Sequence, residues 1–108
     1  MRKPVENMDG IEAGMGGVYG CWTDRYPFRV VKVTRTNMTI VQLDLDKNVG
    51  GPWPAQRWTF GKVSANTPTY VVRRNKNGQY RRGNWRYGKP AVVSDDELGA
   101  MVYLDPCF

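Results

Sequence analysis

The sequence predicts a mostly β fold: a small SH3-like barrel or strongly bent antiparallel sheet, with at most one short helical turn near residues 95–99. Apolar residues recur at period two or in short β-branched runs bounded by Gly, Pro and Asn, the pattern of strands and turns. Ser94-Asp-Asp-Glu97 alone carries a helix-start signal, because a Ser followed three residues later by Glu forms a capping box. The chain has 108 residues, of which 12 are Gly and 7 Pro. That length allows one domain with a single modest core. We therefore expect residues 1–108 to form one domain, with 1–14 as a loosely ordered N-terminal arm.

Each element follows from local chemistry. Gly17–Trp22 is a short candidate strand. In Tyr26–Arg35, Phe28, Val30, Lys32 and Thr34 alternate with Arg29, Val31, Val33 and Arg35, so one set faces inward. Thr36-Asn37 suits a turn, and Met38–Asp44 returns with Met38, Ile40, Gln42 and Asp44 opposite Thr39, Val41 and Leu43. The paired glycines and two prolines of Lys47–Pro54 make a loop with Trp53 at its tip. A strand from Gln56 turns Trp58 and Phe60 to the core and Arg57 and Thr59 outward. Thr69–Arg74, the turn Asn75–Gly78 and Gln79–Arg82 form a hairpin, Asn77-Gly78 being the strongest such signal in the chain. Gly99 and the β-like Met101–Leu104 then leave the Ser94 signal little more than a turn. About six short strands at this spacing fit an SH3-like barrel, with an OB-like barrel as nearest competitor.

Composition narrows the function classes. No apolar run approaches the ~20 residues of a membrane span, and the N-terminus has no apolar stretch behind its positive start. These features predict a cytoplasmic protein. Cys21 and Cys107 make neither a disulfide framework nor a zinc site. The chain has no His, which removes the commonest general base and metal ligand. Asp24, Asp44 and Asp46 read as turn and loop residues rather than a magnesium cluster, and the Gly14–Gly17 run lacks the Lys of a P-loop. A non-enzymatic protein without metal or cofactor is expected.

Charge is the most informative feature. Lys47–Ser94 holds ten Lys or Arg and no Asp or Glu, whereas Met1–Asp46 sums to zero and Asp95–Phe108 to −4. Seven of the ten cations lie between Arg73 and Lys89, interleaved with Tyr80, Trp85 and Tyr87. A two-residue loop at Asn77-Gly78 sets Arg74 opposite Arg81 and Arg73 opposite Arg82, and like charges in such pairs repel. Neutralisation must come from Asp or Glu elsewhere in the fold, with Asp95, Asp96 and Glu97 folding back as the candidates, from solvent ions, or from an anionic ligand. Guanidinium forks take phosphate bidentately and aromatic rings stack on bases. The candidate phosphate ligands are therefore Arg73, Arg74, Arg81, Arg82, Arg86, Arg57 and Arg25. The candidate stacking residues are Trp85, Tyr87, Tyr26 and Trp53. Trp85-Arg-Tyr87 also fits two core aromatics around an outward Arg86.

At Gly20-Cys-Trp-Thr-Asp-Arg-Tyr-Pro-Phe-Arg-Val-Val-Lys-Val-Thr-Arg35 the chain resembles a group of small uncharacterised proteins of tailed phages and prophages. The resemblance continues through Gln42-Leu-Asp44, Trp58-Thr-Phe60, Lys76-Asn-Gly78 and the terminal Tyr103-Leu-Asp-Pro-Cys-Phe108. The loop Asp46–Gln56 is shorter than in that group, and Ala91–Ala100 departs from it. The resemblance implies a phage origin, hence an infected bacterial host cell, a compact β fold and no catalytic residues. Its Asp-Arg-Tyr-Pro element makes Asp24, Arg25 and Tyr26 site candidates, beside a structural corner built by Tyr26-Pro27.

The first functional expectation is a phage accessory protein that binds a phosphate-bearing nucleotide and sequesters a nucleotide signal of host immunity, in a pocket shared between subunits of a homo-oligomer. The alternatives are a module that binds short nucleic acid, or a basic inhibitor docking on an acidic host protein.

Overall fold

The computed structural model describes residues 10–20, 24–51, 56–63 and 67–104. Among them, β1 (Gly16–Gly20), β2 (Tyr26–Val33), β3 (Asn37–Gln42), β6 (Thr69–Arg74), β7 (Tyr80–Arg82) and β8 (Trp85–Tyr87) close an antiparallel barrel in the order β1-β2-β3-β6-β7-β8. The barrel shuts where Tyr19 pairs with Tyr87 and Gly20 with Arg86. The mostly β, SH3-like expectation holds.

Alternation fills the interior. Phe28, Val30, Met38, Ile40 and Val72 are buried, and Ile11 joins them with no exposed surface. Gly14 N–H donates to the Val30 carbonyl at 2.8 Å. The described end of the expected N-terminal arm is therefore docked, with Ile11 in the core cluster against which Met15 packs. A bulge between Val30 and Lys32 resets β2, so that Lys32 pairs with Thr39 and Val33 with Met38. The simple alternation expected for Tyr26–Arg35 thus breaks after Val30: Val33, not Lys32, packs on the core.

Three further expectations need correction. Lys47–Pro54 is not loop throughout, because β4 (Leu45–Asn48) pairs with β5 (Trp58–Phe60) as a separate two-stranded sheet. Phe60 consequently packs not in the barrel but in a second cluster with Val41, Leu43 and Leu98 on its outer wall, and Trp58 is only half-buried. The predicted turn at Ser94 is a seven-residue helix, α1 (Asp95–Met101). The predicted capping box is present: Glu97 N–H donates to Ser94 Oγ at 3.1 Å and Ser94 N–H to Glu97 Oε1 at 2.8 Å. Gly99 lies within the helix, and a Cβ there would run into the Trp58 carbonyl oxygen, so glycine lets α1 lie against β5.

Candidate functional site

The basic hairpin forms, in a register one residue from the expected one. Gly78 has φ +82° and its N–H donates to the Asn75 carbonyl at 3.0 Å, while Asn75 N–H donates to the Gln79 carbonyl at 2.8 Å. This is a three-residue loop, Lys76-Asn77-Gly78, ending on a left-handed glycine. Asn75 Oδ1 reinforces it by accepting from the N–H groups of Asn77 and Gln79, each at 2.9 Å. Arg73 therefore lies opposite Arg81, and Arg74 opposite Tyr80.

A second hairpin, unforeseen, places Gly83-Asn84 between β7 and β8, with Arg81 opposite Arg86 and Arg82 opposite Trp85. Gly83 takes φ +62°. Its signal was in the sequence, since Gly-Asn between two strand-like runs is a two-residue hairpin loop.

These two registers sort the candidates by face. Arg73, Arg81 and Arg86 stand side by side on the outer surface of three adjacent strands, a row about 10 Å wide at normal strand spacing. Arg82, one residue on, turns the other way, and its guanidinium lies 4.0 Å from the centre of the Tyr70 ring. Of the four hairpin arginines, Arg73 and Arg81 thus face outward, Arg82 turns to the barrel end, and Arg74, opposite Tyr80, is exposed beside the loop.

No carboxylate among the described residues ion-pairs with the row. Asp95 instead meets Arg29, with Arg29 Nη2 2.6 Å from its Oδ1, and Asp96 meets Arg57 at 3.0 Å. Glu97 is held in the capping box, whose Ser94 hydrogen bonds lower its carboxyl pKa. The alternative that α1 folds back to neutralise the hairpin is overturned. Arg57 lies apart from the row, just before β5, where it pairs with Asp96 of α1. A groove of about 300 Å³ there, lined by Val49, Trp58 and Phe60 with the Arg57–Asp96 pair at its edge, has its charges already matched.

Aromatic residues gather at the barrel end that Arg82 caps. Tyr19 and Tyr87 stack with centroids 4.9 Å apart, and Trp85 stands edge-on to Tyr19 at 5.5 Å and to Tyr26 at 6.3 Å. Burial, aided by the neighbouring phenols, pushes the Tyr19 hydroxyl up to about 12. Tyr26 is raised by burial and by Asp24, whose carboxylate accepts its hydroxyl at 3.2 Å. Tyr87 is also raised by burial, against the opposing pull of Arg82 and Gln42. Although both groups act on it as donors, the buried Tyr87 hydroxyl has no hydrogen-bond partner in good geometry among the described residues.

Of the predicted stacking residues, Trp85, Tyr87 and Tyr26 therefore come together, and Trp53 lies outside the described residues. Arg25 is exposed at the start of β2, bridged through its backbone to Tyr103, and Arg74 is exposed beside the hairpin loop. Sequence reasoning missed Tyr19, Tyr70 and Gln42. Tyr70 shares parity with Val72, and Gln42 with Met38 and Ile40, so inward alternation was the signal for both. Among the described residues no three Asp, Glu or Cys converge as a metal site, and no helix is long and apolar enough to cross a membrane. Comparison with protein-family models, with curated proteins and with solved structures gave no match to this chain.

Proposed function

We propose that this chain binds single-stranded nucleic acid without catalysing a reaction, and that Arg73, Arg81 and Arg86 hold successive backbone phosphates. The observation that carries the reading is the cross-strand row. Three guanidinium groups in register, none ion-paired among the described residues, form an open cationic stripe. Such a stripe tracks a flexible phosphate backbone, whereas sequestration of one small nucleotide calls for an enclosed pocket. Among the described residues nothing encloses the row, with Arg73 and Arg86 exposed and Arg81 half-buried, which favours the strand over the nucleotide.

Fluorescence anisotropy with short labelled DNA and RNA, titrated against salt, tests it. Each phosphate contact to a single strand contributes about −0.7 to the slope of log affinity against log salt, so three arginines give a slope of about −2. Arg81→Ala with Arg86→Ala should cut that slope to about −0.7 and weaken binding at least about tenfold, with no loss of fold. Unchanged affinity and slope in the double variant would sink the assignment. Tight, stoichiometric retention of one free nucleotide, with no binding of oligonucleotides, would favour sequestration.

A further inference from the structure

Resting on the reading that the arginine row holds a nucleic-acid strand, we propose that the adjoining barrel end takes one guanine base of that strand, stacked on Trp85 and hydrogen-bonded along its O6/N7 edge by Arg82 and the Tyr87 hydroxyl.

Three observations lead to it. The Tyr87 hydroxyl is buried and lacks a partner among the described residues, an arrangement that calls for a missing acceptor. Arg82 has no carboxylate in ion-pair range among the described residues. Lying over the Tyr70 face, it keeps the N–H groups of its planar fork for another acceptor. Trp85 is oriented at near right angles by both Tyr19 and Tyr26, yet 38% of its surface stays exposed.

The polar groups at this end are mostly donors: the Arg82 fork, the Tyr87 O–H and the amide of Gln42. They call for a planar ligand whose edge is all acceptor. Along the edge that faces the major groove in a duplex, guanine alone offers two adjacent acceptors, O6 and N7, while adenine and cytosine place a donor there and thymine pairs one acceptor with a methyl group. The ligand can reach this end from the row, because Arg82 and Trp85 directly adjoin Arg81 and Arg86 on β7 and β8 and pair across the Gly83-Asn84 turn. A phosphate on Arg81 or Arg86 thus lies one residue, about 3.3 Å along the strand, from the level of the barrel end. On binding, Arg82 leaves the Tyr70 ring to meet the base.

The experiment compares anisotropy titrations of an oligothymidylate of about ten nucleotides, within the usual site sizes of such modules, with the same oligonucleotide carrying one central deoxyguanosine, deoxyadenosine or deoxycytidine. The guanine-containing strand should bind about tenfold tighter than the others, the range of one good bidentate contact. Tyr87→Phe keeps the ring and removes only the hydroxyl. It should shrink that preference while leaving the salt slope of binding, set by the arginine row, and the thermal stability unchanged. Equal binding of all four strands, preference for another base, or a guanine preference that survives Tyr87→Phe would overturn the inference and leave strand binding standing. Failure of every strand to bind would remove the parent reading and this one together.

Discussion

On the side of the barrel covered by α1, Arg29 lies 2.6 Å from Asp95 and Arg57 3.0 Å from Asp96. Across the molecule, Arg73, Arg81 and Arg86 face outward in one row with no such partner among the described residues. The helix carries three acids in its first turn and directs two to cations, Arg29 of β2 and Arg57 just before β5, and one to its own cap. Arg29 is the more structural of the two paired cations. It is half-buried, and Nη1 also donates to the Val93 carbonyl at 2.8 Å and the Gly14 carbonyl at 3.0 Å, tying β2 to the segment before α1. Cations on the first side hold elements together, whereas those of the row repel each other by a fraction of a kcal/mol per pair. That repulsion is small enough to be tolerated at an exposed surface and is relieved when an anion binds.

The largest expected effect on stability lies on the helix side. Gly99→Ala drives a methyl group into the Trp58 carbonyl and must push α1 from β5, at a cost of about 1–3 kcal/mol, the usual range for overpacking. Denaturant unfolding measures it. If the two sides act independently, oligonucleotide affinity of the folded variant stays at the wild-type value. A parallel loss of affinity would break the comparison by showing that α1 supports the row.

The fold was more legible than the site, for a physical reason. Inward positions such as Phe28, Met38, Ile40 and Val72 announce themselves by alternation, and burial makes that pattern compulsory. The capping box was equally readable, since Ser94 and Glu97 interact over three residues. Which arginines face together depends instead on register, and one residue in the Asn75–Gly78 loop decides it. Reading Asn77-Gly78 as the whole loop put Arg82 opposite Arg73. The left-handed Gly78 closes a three-residue loop instead, and that single shift sends Arg82 to the barrel end and leaves Arg81 in the row. The destinations of Asp95 and Asp96 are pairings 66 and 39 residues away in sequence, beyond any local signal.

A middle-sized effect sharpens the role of α1. Ser94→Ala removes the hydroxyl that accepts from Glu97 N–H and should cost about 1 kcal/mol, typical of an N-cap. Glu97 adds a pH signature. Its folded-state pKa lies below the ordinary value because the carboxylate accepts from Ser94. Its contribution is therefore present at neutral pH and is lost as acidification passes through the folded-state value. Glu97→Gln should flatten that acid limb of stability, measured by unfolding at neutral and acid pH, while strand binding at neutral pH stays unchanged.

The smallest effect discriminates best between a local row and diffuse charge. Asp96→Asn breaks an exposed pair and should change stability by no more than about 0.5 kcal/mol, whereas Asp95→Asn should cost slightly more, up to about 1 kcal/mol, because its partner Arg29 is half-buried. Arg29 keeps its two carbonyl acceptors in that variant, so the fold survives. Together the two changes raise the net charge from +6 to +8. If nucleic acid responds to total charge, the double variant binds more tightly and with a steeper salt slope. If it responds to Arg73, Arg81 and Arg86, the freed Arg57 lies on the wrong side of the barrel and the slope stays at about −2. An unchanged slope alongside the measured loss of stability would separate the cations that hold the fold from those that hold the ligand.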